Sequence, residues 1–175
     1  MTVTEIKTIK ENEIEGETIN KVMLDPIEKR RILVHSRDNC IRLLEHTAKR
    51  HKGISLRYFG LSNRQYKVKS CISPDGQYIL SGSEDGIPHM WDYASAIEYS
   101  TKQYECSFIG CITDVDWNTV YNMNVMCGYG KSYPILVYIH EREQRALLSY
   151  NLNQQDLKKD KMKIHNGTSD IEKQV

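Results

Sequence analysis

The sequence predicts an all-β chain built from about three repeated, four-stranded antiparallel units, and three observations predict it. Ser73-Pro74-Asp75-Gly76 is a turn, because Pro fixes φ and Gly supplies a φ > 0 position. Tyr78-Ile79-Leu80 then reads as a buried strand, and Ser83-Glu84-Asp85-Gly86 returns the chain into a strand that closes on Met90-Trp91-Asp92. The same order of strand, turn and strand recurs before and after this stretch, which is the mark of a repeat architecture.

The middle unit sets the frame. Val68, Ser70 and Ile72 alternate toward one face of a first strand, Tyr78 to Ser83 make the second, and Ile87 to Asp92 the third. Ala96 to Tyr104 is more polar, as suits an outer strand. An SPDG turn, an SGSEDG turn and a Trp-Asp at these offsets are those of a WD40 β-propeller blade. Such a blade joins its middle strands through a Ser hydroxyl, a turn Asp carboxylate and the indole N–H of a third-strand Trp. Ser81, Asp85 and Trp91 are therefore expected to form one structural network, with Asp38 as the counterpart of Asp85 in the preceding blade.

Upstream, Ile19 to Leu24 precedes the turn Asp25-Pro26, and Arg31 to Ser36 precedes Arg37-Asp38-Asn39. Cys40 to Leu44 follows, so this blade keeps the turn Asp and places Leu44 where the Trp stood. Its outer strand is Ile54 to Phe59, after the basic connection Lys49 to Gly53. Downstream, Cys111 to Trp117, Val125 to Tyr129 and Pro134 to Ile139 make three strands of a blade whose turn, Gly130 to Tyr133, lacks the Asp. The expected organisation is an orphan outer strand of a missing blade in 1–18, blades at 19–60, 61–105 and 106–140, a C-terminal helix at 141–162 and a disordered tail at 163–175. A blade takes roughly 40–45 residues, and closed propellers have about four to eight blades. The expected object is a partial propeller, from a longer protein or a truncated product, with exposed sheet edges that favour self-association of the isolated chain.

Charge argues against polyanion binding by the whole chain. Lys and Arg number 24 against 23 Asp and Glu, a net charge of +1, so no nucleic-acid partner is expected. The run Lys158-Lys159-Asp160-Lys161-Met162-Lys163 reads as a solvated end. Five cysteines, Cys40, Cys71, Cys106, Cys111 and Cys127, are an odd number without CxxC spacing, which fits reduced thiols in a cytoplasmic protein. No membrane insertion is expected, because no apolar run is long enough to span a bilayer and no charged-then-apolar leader opens the chain. Asn166-Gly167-Thr168 matches a glycosylation acceptor but has no secretory context.

No constellation calls for catalysis. P-loop, GxSxG and HExxH patterns are missing, and Gly128-Tyr129-Gly130 lacks the third glycine of a dinucleotide site. Asp114 and Asp116 sit two apart on a strand, where an exposed face or a hydrogen-bonded turn explains them better than general acid/base work. His35, inside an apolar strand, reads as a packed core residue. No catalytic residue, metal site or cofactor is expected, and an enzyme is the third reading. A propeller without such machinery is a rigid platform for other proteins. Arg37 and Glu84, each just before a turn Asp, and Tyr66 nearby are the expected protein contacts, since Arg and aromatic side chains anchor interfaces.

The detail of the repeats narrows the family. The runs Glu5-Ile6-Lys7 through Ile19, Arg31 through Arg42 and Gly82 through Ile87, and above all Asn122 through Ile139 with its Pro134-Ile135-Leu136-Val137-Tyr138-Ile139, resemble the last propeller blades of the jouberin family. The resemblance spans roughly residues 5–145. It implies a non-catalytic WD40 scaffold of cilium assembly, acting at the basal body and transition zone through other ciliary proteins. Members of that family carry an N-terminal coiled-coil region, a seven-bladed propeller and, in vertebrates, an SH3 domain. The alternative within binding modules is a WD40 adaptor subunit of a ubiquitin-ligase or vesicle-coat complex.

Overall fold

Short β-rich segments punctuated by Pro, Gly, Asn and Asp produce three antiparallel sheets in a computed structural model that describes residues 8–46, 51–99, 110–119, 123–128 and 135–139. In the first sheet β1 (Ile19–Leu24), β2 (Arg31–Ser36), β3 (Cys40–His46) and β4 (His51–Tyr58) lie side by side in chain order. The second repeats this with β5 (Ser70–Ile72), β6 (Tyr78–Ser81), β7 (His89–Asp92) and β8 (Glu98–Tyr99). The third holds β9 (Ile112–Trp117), β10 (Met123–Gly128) and β11 (Ile135–Ile139). The described residues are all strand, turn and irregular structure, without a helix. This is a partial WD40 propeller. The chain divides into two units, Met1–Tyr138 and Ile139–Val175, and the packing described below lies within the first.

Turn chemistry sets the hairpins. Gly76 has φ +70° in the β5–β6 turn, as the Pro-Asp-Gly sequence requires, and Ser73 Oγ accepts the Tyr78 N–H at 2.9 Å to close it. In the β2–β3 turn Asn39 holds φ +64°, at the position Gly86, with φ +79°, fills in the β6–β7 turn. Asn is among the few side chains that tolerate this region.

Packing between blades supplies the core. Leu33, Ile41, Leu43 and Tyr58 of the first blade meet Ile72, Ile79, Trp91 and Tyr93 of the second. On the opposite face of the second blade Cys71, Leu80 and Met90 meet Ile112, Val115 and Met126 of the third. Adjacent residues of β6, Ile79 and Leu80, thus point to different neighbours and are both fully buried. The single-faced alternation expected for β5 gives way to burial of all three residues for the same reason. Buried apolar surface of this kind contributes about 25 cal/mol per Å². It anchors the middle blade on both of its faces.

Several expectations shift at their edges. The basic connection at 49–53 is partly strand, because β4 begins at His51 and pairs back to His46 through two irregularities in register, with Gly53 at φ +89°. Of the orphan strand, residues 8–11 carry no strand assignment and 12–17 form turns; residues 1–7 lie outside the described residues. The described part lies on the first blade, where Glu13 pairs with Arg57 and with Arg42 at 3.4 Å. The proposed helix and tail, the 130–133 turn, Cys106 and the outer part of the 96–104 strand also lie outside the described residues.

Candidate interaction rim

The two hairpins that carry the turn aspartates share one construction. Val34 pairs with Arg42 and Ser81 with His89, so Asp38 matches Asp85, Ser36 matches Ser83, and Leu44 matches Trp91. In the first hairpin Ser36 Oγ donates to Asp38 Oδ1 at 2.8 Å, while Arg42 donates to Asp38 Oδ2 at 2.6 Å and Oδ1 at 3.1 Å. A bidentate guanidinium is a strong, directional partner. Burial pushes the Asp38 carboxyl up, but the Arg42 and Ser36 hydrogen bonds outweigh it and hold the group below its ordinary range.

The second hairpin uses a histidine instead. His89 Nε2 lies 3.1 Å from Asp85 Oδ2 and its Nδ1 lies 2.6 Å from Glu98 Oε1. The Ser83 hydroxyl hydrogen-bonds the same Asp85, and the Ile87 N–H reaches Oδ1 at 2.9 Å. Burial depresses the His89 pKa, yet the bonds to Asp85 and Glu98 raise it overall. The expected single network of Ser81, Asp85 and Trp91 is therefore corrected. Each hydroxyl or indole has one proton to donate. That of Ser81 points to Gly82 O at 2.8 Å, and that of Trp91 to Phe59 O at 2.9 Å, across to the end of the first blade. Sequence reasoning missed Ser36, Ser83, Arg42 and His89. A Ser two before and a basic side chain four after each turn Asp were the available signal.

The loop between β4 and β5 lies against both hairpins. Asn63 exchanges backbone and side-chain hydrogen bonds with Asn39 at 2.6 and 2.8 Å, and its amide nitrogen donates to Ser36 O at 2.7 Å. That amide also approaches His35 Nε2 at 2.6 Å. His35 is fully buried, and burial pulls its pKa down to about 4. On the second hairpin, the Glu84 N–H donates to Ser62 O at 2.8 Å, and Glu84 Oε1 accepts the Tyr66 N–H at 2.7 Å. The three expected contact residues thus meet around one loop but differ in role. Glu84 faces inward onto the 62–66 backbone. Tyr66 is exposed, and Arg37 donates to Asn20 Oδ1 at 3.3 Å.

Other reactive side chains are engaged in architecture. Asp114 forms an ion pair with Lys69, linking the second and third blades, and Asp116 accepts the Trp117 N–H at 2.9 Å. The two carboxylates therefore do not act as a pair. Burial raises the thiols of Cys40 and Cys111 to about 11 and that of Cys71 to about 12, so these remain protonated at neutral pH. Among the described residues no group of three or more His, Cys, Asp or Glu is placed to hold a metal.

No protein-family model matches the chain. Jouberin of Rattus norvegicus is 32% identical over 136 residues, which cover 77% of this chain and 12% of that protein, and jouberin of Mus musculus matches to the same extent. These are jouberin-like WD repeats. The jouberin-like chain is also 32% identical over 85 residues to an uncharacterized WD repeat-containing protein of Schizosaccharomyces pombe, covering 47% of this chain and 26% of that one. WD repeat-containing protein 44 of Xenopus laevis is 39% identical over 61 residues, covering 35% of this chain and 6% of its own length. The jouberin-like chain spans about an eighth of the jouberins it matches. Among its described residues no helix is long and apolar enough to cross a membrane.

Proposed function

We propose that the chain is a non-catalytic WD-repeat scaffold that holds other proteins against the rim made by its hairpin turns and the 60–67 loop, in the setting of cilium assembly. The observation that carries this reading is the division of labour at the rim. Asp38, Asp85, Arg42, His89 and Glu84 bond one another or nearby backbone and rigidify the hairpins, while Tyr66 is exposed beside that frame and Arg37 lies half-buried at its edge. Preorganised Arg and aromatic side chains suit protein contact. The ciliary setting rests on the jouberin resemblance, and so do transition-zone partners and a place at the basal body.

The test is proximity labelling in ciliated cells with the full chain fused to a biotin ligase, beside a Tyr66→Ala, Arg37→Ala variant. Labelling of basal-body or transition-zone proteins that falls in the variant supports the reading. Diffuse labelling identical in both proteins contradicts it, and labelling confined to ubiquitin-ligase or coat subunits favours the adaptor alternative.

A further inference from the structure

We infer that a second copy of this chain closes the propeller, the third blade of each copy docking on the first blade of the other. The contact lies on sheet faces rather than on the rim, and it is independent of the scaffold reading above. Two joints inside the chain show what a blade face needs. Leu33, Ile41 and Leu43 turn one side of the first blade onto Ile72, Ile79 and Trp91 of the second. Leu80 and Met90, which match Leu33 and Leu43 in register, turn the same side of the second blade onto Ile112, Val115 and Met126 of the third. Each joint thus sets the following side of one blade against the preceding side of the next.

Two such sides are left without a blade among the described residues. On the first blade Leu24 pairs with Ile32 and Ile32 with Leu44, as Ile72 pairs with Ile79 and Ile79 with Trp91, so Leu24 stands where Ile72 stands. Ile72 is 3% exposed, whereas Leu24 is 57% exposed, and so is Val22, two residues away on the same side. The third blade is bare on its following side. Leu136 and Tyr138 pack against the core shared with the second blade, so Ile135 and Val137 face away from it, 69% and 53% exposed. Terminal repeats of a stable array carry polar outer faces, and these two faces are apolar, which marks them as contact surfaces.

The two faces are the two halves of one joint. Val22 and Leu24 offer the preceding half, Ile135 and Val137 the following half, and a second copy brings both missing halves at once. A head-to-tail contact of this kind is heterologous and makes a ring where the rotation closes. Two copies of three blades give six, inside the range of about four to eight that closed propellers use. A partner of another fold has no reason to match both faces.

Sedimentation equilibrium of the full chain should give twice the 20.4 kDa of one copy. High salt should leave that mass in place, because the joint is apolar. A single-copy mass at every concentration, or masses that keep growing with concentration as those of an open filament do, would overturn the inference. Val22→Lys with Leu24→Lys spoils one half of the joint, and Ile135→Lys with Val137→Lys the other. Each pair should weaken dimerisation at least about tenfold through lost apolar burial, while Ile87→Lys, exposed on the β6–β7 turn, should leave it within about twofold. Mixing the two double variants should restore a dimer held by one joint, since each keeps the half that the other has lost. A dimer that survives in either double variant would show contact between like faces and contradict the head-to-tail joint. So would a mixture that stays monomeric although both variants match the parent chain by circular dichroism.

Discussion

The first and second blades solve the same joint with different side chains. At one register position the first blade has His35 and the second has Gly82. His35 fills the gap and meets Asn63 of the incoming loop, whereas at Gly82 the next blade's backbone comes so close that an added Cβ would lie 2.2 Å from Ile112 O. The turn Asp is kept in both, with Arg42 gripping it in one and His89 in the other. The third-strand Trp is not kept, since Leu44 fills its place. The aspartate turn closes its own hairpin, while the Trp position serves blade-to-blade packing, a place that Leu44 fills in the first blade.

Substitutions in matched pairs can break this comparison. Trp91→Ala should cost about 4 kcal/mol, and Leu44→Ala about 3 kcal/mol, in denaturant unfolding of the full chain, both through lost burial and a residual cavity. Gly82→Ala should cost about 3 kcal/mol because backbone rather than a flexible side chain must move. His35→Ala, which removes atoms from a similar joint, should cost about 2 kcal/mol by the same assay.

The two aspartates should separate more clearly. Asp38→Asn takes the bidentate carboxylate from the Arg42 guanidinium, whose side chain is 8% exposed, leaves it only Glu13 at 3.4 Å, and should cost about 2 kcal/mol. Asp85 is 38% exposed and His89 can shed its proton, so Asp85→Asn should cost about 1 kcal/mol. A smaller cost at Asp38 than at Asp85 would reverse the assignment of roles.

The smallest effects concern pH, and they have opposite signs. The folded pKa of His35 lies below its ordinary 6.5, at about 4, so the unfolded chain takes up the proton first. The stability it contributes is complete above pH 6.5 and is lost as pH falls toward 4. His89 is shifted upward, so its contribution is complete below 6.5 and is lost as pH rises through its folded pKa. Arg42 keeps its charge throughout this range. NMR titration of the imidazoles should therefore find His35 titrating below 6.5 and His89 above it; the opposite order would contradict the two environments.

The pattern of strands was readable because turn chemistry and β-rich runs are local. Ile19–Leu24 and Arg31–Ser36 stand where the sequence reading put them. What could not be read joins residues far apart in the chain. The Tyr93 hydroxyl reaches Asp25 at 2.6 Å, and Asn63 bridges to His35, Ser36 and Asn39. No local spacing encodes such contacts. Ser81 and Ser83 lie in one Ser-Gly-Ser run, so local spacing leaves both within reach of Asp85. Only the bend of the turn decides which hydroxyl faces the carboxylate.

Each aspartate turn is held by side chains of its own hairpin and not by the Trp indole. Amide hydrogen exchange at Ile87 in the full chain tests it most directly, comparing Trp91→Phe, which keeps a ring but loses the N–H, with Asp85→Ala, which removes the Oδ1 that accepts the Ile87 N–H. Ile87 protection should be unchanged in Trp91→Phe, and exchange should be roughly fivefold faster in Asp85→Ala, the equivalent of about 1 kcal/mol. Equal loss of protection in both would show that the indole holds the turn after all.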